Sequence, residues 1–295
     1  MVLISSSGNI INSILNVRKE AFRVFAGFNV QIENKEKFGA YHDIGSDIYE
    51  KQIKVISAGL EKYTNPDGSL NEMQIEDDWF PEVRAHVFLS HSHNDIEFVK
   101  SFAGWLNKKF GIIAFIDSSV WGNSDDLLRS IDNKFCVSSR DDYGAIKTYG
   151  YKMRNKSTSN VHMILYTALM KMMDNTECLM FINTPSSLKW SDMISEKAAT
   201  ESPWIYGELL VSKLIRNRSR KAHRDFLQES FLEHVDESSD LAFEYVFDTK
   251  HLVDISDYDL EYFENNLKDY KDEFDALDNF YQQNGINLKQ DIINY

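Results

Sequence analysis

Only two cysteines, Cys136 and Cys178, occur in the 295 residues, and no CxxC spacing joins them to anything. Their scarcity argues against a disulfide framework and against a thiolate zinc site, and it fits a cytoplasmic protein. Long apolar runs are missing as well. No stretch reaches the roughly 18 apolar residues that a membrane-spanning helix needs. The opening residues, MVLISSSGNIINSIL, lack a basic segment followed by a long apolar one, so no secretory signal is expected. Basic blocks are scarce too. The net charge is −14, and residues 232–295 alone carry 17 carboxylates against four lysines, leaving the rest close to neutral. A phosphate backbone would be repelled by that tail and would find no basic surface elsewhere, so neither nucleic acid nor membrane is an expected partner. The familiar fingerprints are also absent: there is no GxGxxG, no GxxxxGK(S/T), no GxSxG and no HExxH.

Hydrophobic residues make up 43% of the chain, enough for a folded core rather than a disordered one. Residues 1–80 read as a helical extension. NIINSILNVRKEAFRVF and DIYEKQIKVISAGLEKY both show apolar residues at helical spacing, and TNPDGS (64–69) marks a turn. The extension either packs on the main domain or folds by itself.

From residue 81 the pattern changes. AHVFLSHSHND (85–95) reads as a buried strand ending in a polar loop, with Asn94 and Glu97 spaced as a capping box. A helix follows through Phe110 and stops at Gly111. IIAFID (112–117) reads as a second strand, and strand, helix and strand within about 30 residues make a βαβ unit with a parallel sheet. Residues 137–159 are polar, tyrosine-rich and locally basic, and read as an insertion or long loop. NVHMILYTALMKMMDNTE is a helix and CLMFINT (178–184) a third strand. Ser202 is a suitable N-cap for a helix with Pro203 at its first position. LAFEYVF (241–247) and HLVDI (251–255) read as the last strands, and an acidic amphipathic helix runs from about 260 to a stop near Gly285. The expected organisation is a helical extension over 1–80, an α/β domain over 81–260 and an acidic helix over 261–295.

One feature of the helix after Pro203 points to chemistry. Trp204, Glu208, Val211 and Ile215 share a face, which places a carboxylate among large apolar residues. Such a group is either wet, because the face is exposed, or sheltered at a cleft, where carboxylates are more often functional. In an open parallel sheet, ligands gather at the carboxyl ends of the strands. Three segments of this chain follow strand ends: SHSHND, DSSVWG and the segment leading to Trp204.

VFLSHSHND, AFIDSSVWG and ESPWIYGEL stand in the order and with the character of the Toll/interleukin-1 receptor (TIR) domain motifs, so the chain resembles a bacterial-type TIR protein over roughly 83–260. In that family a strand-end Ser leads into a polar loop and an Asp, a second strand leads into the loop named BB, and Ser-x-Trp-x-x-x-Glu-Leu opens the third helix, matched here by Ser202, Trp204, Glu208 and Leu209. The sequence departs from the pattern at 137–159, and at Asn183-Thr184, where a Ser is common.

The resemblance implies a flavodoxin-like α/β fold with a central parallel five-stranded sheet. It also implies an NAD-consuming activity that splits the nicotinamide–ribose bond, as in NAD glycohydrolases and ADP-ribosyl cyclases, with Glu208 as the catalytic carboxylate. NAD is then a substrate, and no cofactor is implied. The product would be ADP-ribose, a cyclic isomer or a conjugate. Stand-alone proteins of this kind resemble the signal-producing half of Thoeris-type antiphage defence, which implies self-association through TIR contacts and a separate effector that senses the product.

Around Glu208, Ser90 and His91 either bind ribose or phosphate or simply turn the chain. Trp121 either stacks on a nucleobase or packs between subunits. Asp117 either orients its loop or touches substrate, and Trp204 either packs beneath Glu208 or contacts NAD. His91 and His93 alternate, but no further ligand has a metal-site spacing, so no metal is expected. Two alternatives stay open: a non-catalytic TIR module that signals by contact, and another flavodoxin-like nucleotide enzyme such as a nucleoside transferase.

Overall fold

The computed structural model describes residues 26–53, 59–81, 83–190, 198–200, 202–216, 245–247, 249–267 and 270–286. The strands among them are β1 (Ala26–Val30), β2 (Val87–Ser90), β3 (Ala114–Ile116), β4 (Val137–Arg140), β5 (Ile146–Tyr149), β6 (Cys178–Ile182), β7 (Lys189–Trp190), β8 (Ala198–Thr200), β9 (Tyr245–Phe247) and β10 (Val253–Ile255). The α-helices are α1 (His42–Gln52), α2 (Glu72–Trp79), α3 (Ile96–Phe110), α4 (Trp121–Ile131), α5 (Tyr151–Asn175), α6 (Pro203–Arg216), α7 (Asp257–Asn266) and α8 (Glu273–Gln283).

Five strands form an all-parallel sheet in the order β10-β1-β6-β2-β3, flanked by helices on both faces, an α/β architecture of flavodoxin-like type. Both faces are buried, as parallel sheets require, so each strand sends alternate residues to two separate cores. Phe28, Val87, Leu89, Ala114, Ile116, Met180 and Ile182 face the layer of α1, α3, α7 and α8. Phe88, Phe115, Leu179 and Phe181 face the layer of α2, α4, α5 and α6. This alternation also directs Ser90, two residues beyond Phe88, toward the second layer.

Strand β1 corrects the expected organisation. Residues 26–30 lie inside the sheet between β10 and β6, so the segment over 1–80 is not a separate helical appendage. The polar Asn29 hides this strand from a hydrophobicity pattern. It is buried by pairing: Asn29 Nδ2 donates to Asp254 at 2.7 Å, and its Oδ1 accepts from Asn183 at 2.9 Å. The expected helix over NIINSILNVRKEAFRVF lies outside the described residues.

The helix expected over 47–63 ends at Gln52. That side chain is needed elsewhere: its amide donates to the Ala114 carbonyl at 2.7 Å and accepts from the Ile116 amide at 3.0 Å. It thereby caps the free edge of β3, which otherwise presents unpaired backbone groups. Helix α1 packs on α3 backbone to backbone through Gly45 and Gly104. A Cβ on Gly104 would stand 2.1 Å from the Tyr41 carbonyl oxygen, and one on Gly45 only 1.6 Å from that of Lys100.

Other boundaries shift for local reasons. The capping box at Asn94 and Glu97 does not form. A 3-10 turn occupies His93–Asp95, and α3 begins at Ile96 and stops at Gly111 with φ 70°. The presumed loop over 137–159 is an antiparallel hairpin, β4 with β5, followed by the first turns of α5. Its tip closes because Gly144 takes φ 84° and Asp141 Oδ1 accepts from the amides of Tyr143 and Ala145. Of the expected strand at 241–247, residues 245–247 form β9, which pairs antiparallel with β8 outside the main sheet. The acidic C-terminal segment is two helices. Ser256 begins α7 with a capping box, and the Asp272 side chain accepts from the Asp275 amide at 2.9 Å to begin α8.

Candidate functional site

The chain leaves β2 toward β3 on one side, while β6 lies on its other side, so a topological switch occurs beside β2. At the carboxyl ends of these strands lie Ser90, the last residue of β2, with His91 after it, Asp117 and Ser118 after β3, and Thr184 after β6. Helix α6 lies over this edge. Its start follows the expected chemistry: Ser202 Oγ accepts from the Ile205 amide at 3.3 Å, and Pro203 takes the first helical position. Ile205, Leu209 and Val211 bury into the second core and fix the helix against the sheet.

That seating turns Glu208 inward. It is only 2% exposed, which settles the question left open by periodicity: the face is sheltered, not wet. Ser90 Oγ donates to Glu208 Oε2 at 2.6 Å. The second oxygen, Oε1, accepts from no donor among the described residues. Its neighbour is the carboxyl of Asp117, itself fully buried. Behind Asp117 stands His91, also fully buried, with Nδ1 2.7 Å from Asp117 Oδ1 and 3.3 Å from the Leu89 carbonyl. Its Nε2 lies 3.1 Å from Ser118 Oγ. Ser90, Glu208, Asp117, His91 and Ser118 thus form one buried polar chain.

The electrostatics follow from that enclosure. Burial, and then the neighbouring charge of Asp117, push the Glu208 carboxyl well above the ordinary Glu range, while the Ser90 hydrogen bond pulls the other way. Burial works against the His91 imidazolium, but Asp117, the Leu89 carbonyl and Asp95 together outweigh it and raise His91 above its ordinary value.

Four of the expected site residues, Ser90, His91, Asp117 and Glu208, therefore come together. Among the described residues no hydrogen bond or ring contact joins Trp204 to them. It is half-buried on the second core and meets His162 of α5 edge-on, with ring centroids 5.5 Å apart. Trp121 opens α4, and its side chain lies outside the described residues.

Two participants, Ser118 and Tyr166, went unnoticed in the sequence, and a third, Asp95, stood there only as the acidic end of the loop after the first strand. Ser118 holds the far side of His91. Tyr166 of α5 approaches Glu208, and burial raises its phenol above the ordinary value. Asp95 accepts from Thr184 Oγ1 at 2.5 Å and from Lys35 Nζ at 3.0 Å, joining the ends of β2 and β6. A signal for Tyr166 was present: Gly207 sits in a helix interior beside Glu208, and a Cβ there would stand 2.7 Å from the Tyr166 ring. Among the described residues no three His, Cys, Asp or Glu groups are arranged to hold a metal ion, and no helix is long and apolar enough to cross a membrane.

The fold and this edge together define an α/β protein with a buried acid cluster at the ligand edge of a parallel sheet. Comparison with known proteins gives no match: no family model, no curated protein and no solved structure matches the chain.

Proposed function

We propose that the protein is a TIR-like enzyme that consumes NAD by cleaving the nicotinamide–ribose bond, with Glu208 as the catalytic carboxylate. The observation that carries this reading is a glutamate 2% exposed, hydrogen-bonded to the end of β2, at the edge where parallel sheets bind their ligands. The chemistry suits one acid. Nicotinamide leaves as a neutral pyridine, because its ring nitrogen already carries positive charge in NAD, so nothing has to protonate the leaving group. Positive charge builds instead on the ribose, as in other oxocarbenium-like transition states. A carboxylate held in a dry site stabilises that charge without reorganising.

The product is ADP-ribose, a cyclic isomer or a conjugate. NAD enters as substrate, and further copies of this chain and a product-sensing effector are the partners this reading brings. The burial of Glu208 also favours a second reading, a non-catalytic TIR module in which Glu208 only fastens α6 to β2.

NADH separates the electrostatic mechanism from its rivals. Its dihydronicotinamide carries no positive charge and would leave poorly. The concentrated protein should release nicotinamide from NAD and leave NADH intact; equal cleavage of both would remove the electrostatic basis of the reading.

A further inference from the structure

Two carboxyls and one imidazole share the buried chain at the sheet edge, and the geometry dictates how many protons they hold. Glu208 Oε1 has no donor among the described residues, and the equally buried Asp117 carboxyl is a neighbour of Glu208. Two carboxylates in contact repel, and a single shared proton turns that repulsion into a hydrogen bond. His91 decides which carboxyl keeps the proton. Its Nδ1 is 2.7 Å from Asp117 and its Nε2 is 3.1 Å from Ser118 Oγ, so an imidazolium here has a partner on each side. The imidazolium makes Asp117 the anion and leaves the acid proton to Glu208. An imidazolium, a carboxylate and a carboxylic acid sum to zero charge, whereas removing the proton from Glu208 alone leaves a net charge in a dry site.

The remaining ionisable groups that face this chain do not alter the count. Asp95 acts on His91 from the end of β2 but is itself paired with Lys35 and Thr184. Tyr166, on α5, presents a phenol that burial keeps protonated, and Tyr206 of α6 stands near it.

We propose that Asp117 and His91 are positioning residues that hold one proton on Glu208 until a cationic group of the substrate displaces it. This rests on reading Glu208 as the site carboxylate, and it adds what holds that residue idle. A pyridinium brought against Glu208 supplies the positive charge that the proton supplies at rest. The O–H bond of Glu208 breaks, one proton leaves to solvent, and the carboxylate remains to face the ribose. One proton is released for each cation bound, and no electrons move.

Two measurements test this with the full-length chain. The first needs no turnover. At pH 7 the folded wild type should show the infrared carbonyl band of a neutral carboxylic acid, and Glu208→Gln should lose it. Absence of the band, or its survival in Glu208→Gln, overturns the placement of the proton. The second is the pH dependence of steady-state kinetics with NAD. On the acid limb, KM should fall about tenfold per pH unit, as release of one proton requires, while kcat stays flat. Asp117→Asn should move that limb to lower pH, because it removes the like charge. His91→Gln should move it to higher pH, because it removes the counter-cation. Displacement of both limbs in the same direction, or of neither, overturns the roles of Asp117 and His91. If the infrared band behaves as stated but NAD is untouched at every pH, the NAD reading fails while the proton placement stands.

Discussion

Ser90 Oγ donates a 2.6 Å hydrogen bond to Glu208 Oε2, joining the last residue of β2 to the interior of α6 across 118 positions of sequence. The bond satisfies one oxygen of a carboxyl that has almost no water. Replacing Ser90 by Ala leaves that oxygen without a donor, at a cost of about 1–3 kcal/mol. Denaturant unfolding should show this loss, and nicotinamide release should fall with it. An unchanged midpoint would mean that the bond contributes nothing to the fold.

Stability should depend on pH in a particular sense. Glu208 and His91 are both raised in the folded protein. The folded state therefore binds protons more tightly than the unfolded chain at both sites, and stability falls as pH rises. The Glu208 contribution is complete below its unfolded value near 4.5 and is lost as pH climbs through its folded value. That of His91 is complete below 6.5 and is lost above it. On the acid side the sign reverses. Asp257 and Glu264, lowered by Lys37 and Lys109 against the effect of burial, lose their contributions as pH falls. Thermal melting of Glu208→Gln should show a flatter alkaline limb than the wild type. Parallel curves from pH 5 to 9 would show that Glu208 titrates alike in the folded and unfolded chains.

The contact of α1 with α3 depends on two glycines. A methyl group at Gly104 or Gly45 would collide with backbone carbonyls that cannot move aside. Either Gly→Ala change should cost about 3 kcal/mol, at the upper end for overpacking. Gly39→Ala, with nothing within 4 Å of the added carbon, should change stability by less than about 1 kcal/mol. Equal, small effects at all three positions would contradict the close crossing.

Gly207 makes a subtler test at the site. Its added Cβ would press on the Tyr166 ring rather than on backbone, and a ring can yield. Gly207→Ala should therefore fold but displace either Tyr166 or the neighbouring Glu208. A loss of about 100-fold in kcat, with the folded state kept, is the expected outcome, since small displacements of a reacting group are costly. Full activity would show that α6 tolerates the shift.

Much of this arrangement is legible in the sequence. VFLS, AFI and CLMFI show as strands because nearly every position is apolar, as a sheet buried on both faces demands. Glu208 announced itself as a carboxylate on an apolar stripe. The strand at Ala26–Val30 stayed hidden because Asn29 interrupts it, and the partners that make Asn29 tolerable, Asp254 and Asn183, are remote in sequence. The hairpin over 137–149 was obscured by its exposed, polar residues, which give no core-facing alternation. Asp117 was legible as a strand-end residue, but its contact with Glu208 depends on where α6 lies, and only tertiary packing fixes that.

The central claim is that Glu208 is the group that makes NAD cleavable. The most direct test is nicotinamide release from NAD by concentrated wild-type protein beside Glu208→Gln, with circular dichroism confirming that both are folded. The account predicts turnover by the wild type and a loss of at least about 100-fold in the variant, the scale of removing a preorganised charge. Equal rates in the two proteins would contradict it.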